Sequence, residues 1–185
     1  MAYIDVIGYD ESEGRLKEIY DDLINKRGKL AAIHTIQSLN PETIVNHMDL
    51  YLTVMFGKSP LKRYQREMMA VVVSAANNCS YCQKHHAEAV NHYWKDDQMV
   101  VQLRKDYREL ELAEIDMALC DFAWDMTKNP SEKKEFHSER LKALGADDRS
   151  ILDGILVIGY FNFVNRLVLG LGVHIEEDGG SGYNY

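Results

Sequence analysis

Along most of the chain, apolar residues recur three and four positions apart between sparse punctuation marks, the spacing of a single helix face. Strand-like alternation bounded by Asn-Gly turns is missing. The pattern predicts an all-α bundle of about seven or eight helices. Leu16, Ile19, Tyr20 and Leu23 make the inner stripe of a first helix from about Ser12 to Lys26, with Gly28 as its stop. A second stretch covers about Ala31 to Leu39. Asn40-Pro41-Glu42 then reads as an N-cap with Pro at the first helical position, and that helix runs to about Phe56 before Gly57. Ser59-Pro60 opens another, whose segment Met68 to Ala76 is apolar on every face and is therefore expected to be buried.

Asn77-Asn78 interrupts that run and can cap a fresh helix beginning at Cys79. Past a charged turn at Lys95 to Asp97 the pattern predicts one or two helices between Gln98 and Lys128, a break at Asn129-Pro130, and a helix from about Ser131 to Leu144 closed by Gly145. The last long helix should start at Asp147 or Asp148 and reach about Leu169, ahead of Gly170-Leu171-Gly172 and a Gly-rich tail, residues 176–185, expected to be mobile.

Composition narrows the function classes. With 185 residues, 46% hydrophobic and 27% charged, the chain suits one globular domain, residues 1–185, able to bury a continuous core. The net charge of -8 and the interleaving of bases with acids argue against a nucleic-acid partner. The N-terminus lacks a basic region followed by a long apolar one, so no secretion signal is expected. The longest apolar segment, Ile155 to Val173, is interrupted by Asn162, Asn165 and Arg166, so no membrane span is expected either. Three cysteines without a signal point to the reducing cytoplasm, where a thiol pair tends to be catalytic or metal-binding.

Cys79-Ser80-Tyr81-Cys82 is a C-x-x-C pair, and His86 follows Cys82 by four. On an ideal helix, positions 79, 82 and 86 fall within an arc of about 60°, so two thiols and an imidazole share a stripe, while His85 points about 100° from His86. A helix beginning at Asn77 or Asn78 would aim its positive end at the first turn and lower a cysteine pKa there, favouring Cys79. Glu67, twelve residues before Cys79, falls on the buried helix, and a carboxyl there needs a partner such as an imidazole. A Glu67 to His86 to thiol relay answers that cost. Plainer readings stand beside it: a zinc half-site completed by His85, His86 or Cys120, although tetrahedral zinc needs four ligands and no second pair exists; a Glu67 salt bridge with Arg63 or Arg66; His86 as a satisfied core histidine; Tyr81 as a packing aromatic. Cys120 lies among Met117, Ala118, Leu119, Phe122 and Ala123 and reads as a buried packing residue.

The segment from Arg66-Glu67-Met68 through Asn77-Asn78-Cys79-Ser80-Tyr81-Cys82-Gln83-Lys84-His85-His86 resembles the core of the alkylhydroperoxidase D-like branch of the carboxymuconolactone decarboxylase superfamily: a Glu, eleven residues, then C-x-x-C-x-x-x-H. Ser38-Leu39-Asn40-Pro41, Tyr160 to Arg166 and Gly170-Leu171-Gly172-Val173 resemble flanking signatures of its peroxidase-related subgroup, so that the resemblance spans roughly residues 30 to 175. It implies an all-helical fold, no metal or prosthetic group, and a homo-oligomer, commonly a dimer, trimer or hexamer. It further implies a peroxide substrate, an external dithiol or thioredoxin-like reductant, Cys82 as the attacking cysteine, Cys79 as the resolving one, and Glu67 and His86 in the proton relay. Peroxidase members can carry a histidine between the cysteines, where this chain has Tyr81. Asn162 and Arg166 are expected at the cavity, with capping or bridging between subunits as the other reading of Asn165 and Arg166. Two alternatives remain: a cofactor-free lyase or decarboxylase, for which the dithiol is superfluous, and a nonenzymatic oligomeric redox sensor.

Overall fold

The computed structural model describes residues 2–133 and 135–175, and the tail 176–185 expected to be mobile lies outside them. Among the described residues there are nine α-helices and no strand: α1 (Gly14–Arg27), α2 (Ala32–Thr35), α3 (Pro41–Tyr51), α4 (Arg63–Ala76), α5 (Ser80–Trp94), α6 (Asp97–Asp106), α7 (Glu114–Lys128), α8 (Phe136–Ala143) and α9 (Asp148–Leu171). A π-helical turn, Leu52–Phe56, continues α3, and a 3-10 turn, Tyr107–Glu109, follows α6.

The chain forms α1 as its pattern predicts, burying Leu16, Ile19, Tyr20 and Leu23 and ending on Gly28 at φ 82°, a left-handed conformation that a side chain would disfavour. The stretch expected over 31–39 is helical only through Thr35. Beyond it Gln37 and Ser38 close i to i−3 bonds, and the Ser38 hydroxyl accepts from the Ile7 amide, so turns and a long-range side-chain bond replace helix. The helix expected to run to Phe56 loosens to π geometry after Tyr51. Arg66 explains the change: its Nη1 donates to the carbonyls of Val54 at 3.0 Å and Gly57 at 3.1 Å, drawing that segment onto α4. Gly57 is required there, because a Cβ would lie 2.3 Å from the Thr53 carbonyl oxygen. The helix expected over 131–144 is shortened to α8.

α4 is the hub, packing on α5, α7, α9 and α6. Met68 through Val73 have no exposure at all, which answers the all-round apolarity of that run. α9 is long and apolar enough to cross a membrane. It is instead a core helix of this bundle, burying Val157, Ile158, Phe161, Val164 and Val168 against its neighbours. Its start is set by Asp147, which accepts from the Ser150 amide, and its end by Gly172 at φ 69°.

Candidate active site

The site is built on the α4–α5 hairpin. Asn78, at φ 57°, takes the left-handed conformation asparagine tolerates, and the Cys79 amide donates back to the Ser74 carbonyl at 2.8 Å. The chain reverses, and Cys79, rather than an asparagine, becomes the N-cap of α5. Asn77 instead turns to α9, donating to Asn162 and Asn165 at 3.0 Å each. Glu67 lies eleven residues before Asn78 and His86 eight after it, so the hairpin brings the two helices' side chains together across an antiparallel pair.

They do meet. Glu67 is fully buried. One of its oxygens is 2.6 Å from His86 Nδ1, while the other accepts from Arg63 Nε at 2.9 Å and also from Arg63 Nη2. Burial opposes the charge, but His86 and Arg63 outweigh it and hold the carboxyl below the usual range. Both readings of Glu67, salt bridge and histidine partner, therefore hold together. A carboxylate accepts only, so Nδ1 of His86 donates and Nε2 is left as the basic nitrogen. Phe161 fixes the ring edge-on, centroids 4.4 Å apart.

Both thiols are reduced and buried. They interact directly: a hydrogen bond from Cys82 lowers the pKa of Cys79, burial opposes this, and the amides of Cys82 and Tyr81 in the first turn add to it. The same bond pushes the Cys82 thiol up, burial and the Cys79 charge act alike, and Asn165 pulls the other way. The shared bond thus favours ionisation of Cys79 over Cys82, and the first-turn amides add to it. Access divides them differently. Cys82 borders a cavity of about 80 Å³, and Cys79 is not among the residues lining it. Cys120 is fully buried, its thiol pushed well up by desolvation.

The cavity joins Cys82, Tyr81, His85 and His86 of α5 to His34 of α2, His47 and Tyr51 of α3, and Tyr160, Phe161 and Val164 of α9. His85, set apart from the sulfurs by helical angle, nonetheless reaches the same cavity, its ring 4.4 Å from that of Tyr81. Asn162 and Arg166 do not line it: Asn162 bonds Asn77 and Thr127, and Arg166 folds back on Asn162. Asn165, one turn away and fully buried, is the α9 asparagine that acts on Cys82. His47 and Tyr160 line the cavity hydrogen-bonded to each other, with Gln37 bonded to His47 outside the lining, a network that motif spacing did not reveal. Among the described residues no group of three or more His, Cys, Asp or Glu is arranged to hold a metal ion.

The Carboxymuconolactone decarboxylase family profile matches residues 44–100, from α3 through the start of α6. Curated protein sequences give no match. Among solved structures, a peroxidase-related protein from Silicibacter sp. is 29% identical with a TM-score of 0.82, covering 96% of this chain and 91% of its own. A peroxidase-related protein from Ralstonia eutropha with an alkylhydroperoxidase AhpD core is 21% identical with a TM-score of 0.86, covering 97% and 94%. The debrominase Bmp8, solved with 2,3,4-tribromopyrrole, is 16% identical with a TM-score of 0.77, covering 95% and 92%. The chain thus matches the carboxymuconolactone decarboxylase family over residues 44–100 and shares its fold with peroxidase-related proteins of the alkylhydroperoxidase AhpD kind.

Proposed function

We propose that this protein is a cytoplasmic, homo-oligomeric thiol-dependent peroxidase that reduces hydroperoxides through a Cys79–Cys82 dithiol-disulfide cycle. One observation carries the reading: Cys82 borders the cavity, while Cys79 stands behind it in hydrogen-bond contact, with the Glu67–His86 pair alongside. In the first step His86 Nε2 takes the Cys82 proton, and the thiolate attacks the terminal peroxide oxygen. The O–O bond breaks, Cys82 becomes a sulfenic acid, and the leaving alkoxide takes the proton from His86. Glu67 keeps the imidazolium oriented and compensated between those transfers.

Cys79 then attacks the Cys82 sulfur, forming the disulfide and releasing hydroxide, which takes a proton from solvent as water. An external dithiol, small or thioredoxin-like, reduces the pair. The two cysteines are suited to unlike tasks. The Cys82 bond and the first-turn amides favour ionisation of Cys79, which suits it to attack on sulfur, and Cys82 borders the cavity that Cys79 does not line. A peroxide-consumption assay with dithiothreitol beside free-thiol counting tests the reading: catalytic consumption with loss of two thiols per chain supports it, and disulfide formation without turnover would leave a redox sensor.

A second reading draws on the ring-rich lining of the cavity, Tyr51, Tyr81, Tyr160 and Phe161, and on the fold shared with Bmp8. Cys82 thiolate can take bromine from a small halogenated ring as the ring carbon gains a proton. Cys79 then displaces bromide to form the same disulfide. Bromide release from 2,3,4-tribromopyrrole, faster than peroxide consumption, would move the assignment to this chemistry.

A further inference from the structure

His47 and Tyr160, which line the cavity together with Cys82, belong to a chain of hydrogen bonds that the cycle above leaves unused. Gln37 Nε2 donates to the Ile33 carbonyl at 2.8 Å and faces His47 Nδ1 at 2.9 Å, and His47 Nε2 lies 2.7 Å from the hydroxyl of Tyr160. All three side chains are more than nine-tenths buried. The bond directions follow by elimination. An amide nitrogen donates only, and with one hydrogen committed to Ile33 its second is directed at His47 Nδ1, which must accept. The ring is then neutral with its hydrogen on Nε2, in keeping with burial lowering the His47 pKa to about 4. Nε2–H donates to the Tyr160 oxygen. That oxygen accepts, so its own hydrogen is left for another acceptor, on a side chain that lines the cavity together with Cys82.

We propose that Tyr160 is a further catalytic residue, its O–H donating to the leaving oxygen of the hydroperoxide while Cys82 attacks the other oxygen, with His47 and Gln37 as positioning residues. The role rests on the peroxidase reading. Negative charge grows on the leaving oxygen as the O–O bond breaks, and a donor already aimed there stabilises it without reorganising. The proton that completes the alcohol still comes from His86, so Tyr160 stays neutral throughout. Burial, with Tyr51, Cys82 and Glu67 nearby, pushes the ionisation of Tyr160 well up, which keeps it a donor beside a thiolate. Fixing the donor also selects the substrate orientation: terminal oxygen toward Cys82, the oxygen that bears the organic group toward Tyr160.

The test compares two oxidants that differ in leaving group. With tert-butyl hydroperoxide the leaving group is a strongly basic alkoxide, and with peracetic acid it is a stable carboxylate that gains little from a donor. Tyr160→Phe is expected to lose about 10²-fold in kcat/KM with tert-butyl hydroperoxide and less than about fivefold with peracetic acid, while Cys82 alkylation by iodoacetamide keeps its rate and pH profile. His47→Leu and Gln37→Leu, which leave Tyr160 in place, should show the same imbalance more weakly, and they keep the test open if Tyr160→Phe is unstable. Equal losses with both oxidants, or no loss with either, would overturn the role of Tyr160 alone. If the wild-type protein reduces neither oxidant faster than a free thiol does, the peroxidase reading falls and this role with it.

Discussion

The two walls of the cavity are built in opposite ways. The α4–α5 wall comes from one hairpin, in which Glu67, Cys79, Cys82 and His86 fall within twenty consecutive residues and the central contact, Glu67 to His86, spans nineteen positions. The opposing wall is assembled from α2, α3 and α9, and its central contact, His47 to Tyr160, spans 113 positions. The first wall carries the carboxylate, its arginine and the two thiols; the second is a set of neutral side chains joined by hydrogen bonds. Local sequence can encode the chemistry of a hairpin, because a turn and a helical period fix which side chains meet. A contact between helices distant in sequence has no such signature.

The largest effect expected on either wall is at Cys82. Cys82→Ser should lower peroxide consumption more than ~10³-fold, to the background of the thiol reductant, since the nucleophile itself is gone. Next is Glu67→Gln. It keeps the volume but leaves Arg63 and His86 without their buried charge, so alkylation of Cys82 at neutral pH should slow about 10²-fold. The same change should lower the denaturant-unfolding free energy by about 2 to 4 kcal/mol. An unchanged pH profile for Cys82 alkylation would make Glu67 a structural residue only, and the first wall would lose its proton-handling character.

The second wall predicts a pH effect on stability rather than on the thiols. The His47 pKa falls on folding from about 6.5 to about 4. Between those values the unfolded chain binds a proton that the folded chain refuses. The contribution is therefore fully present above about pH 6.5, is lost as pH falls toward 4, and levels off below. Its upper size is ~3 kcal/mol, and denaturant melts of wild type and His47→Gln across this window should converge toward acid by that order. Parallel curves would show that His47 titrates normally. The smallest effect expected is for Arg166→Ala, outside both walls and exposed: activity within about twofold and stability within ~0.5 kcal/mol of wild type.

How much was legible in the sequence follows the same division. The inner stripe of α1, the buried run of α4, the stops at Gly28, Gly57 and Gly172 and the C-x-x-C at a helix start were all readable, because each rests on a local period or on what a missing side chain allows at one residue. The α2 stretch was overestimated because Gln37 and Ser38 use their side chains in bonds to His47 and Ile7 that no propensity contains. The π turn was invisible for a like reason, since Arg66 imposes it from the next helix. Asn162 and Arg166 carry the polarity expected of a site residue, yet the α9 side chains at the cavity are Tyr160, Phe161 and Val164, and the asparagine acting on Cys82 is Asn165. Only the helix's rotation in the bundle settles that choice, and an α9 apolar on nearly all sides gives little sign of its rotation.

The division of labour between the two sulfurs, access at Cys82 against acidity at Cys79, is tested most directly by trapping the sulfenic acid. After one equivalent of hydrogen peroxide, Cys79→Ser and Cys82→Ser are treated with a sulfenic-acid probe and mapped by mass spectrometry. Label on Cys82 in Cys79→Ser, with none on Cys79 in Cys82→Ser, is the predicted result. Label on Cys79 in Cys82→Ser, with none in Cys79→Ser, would contradict it and make the helix-capping thiol the one that meets peroxide.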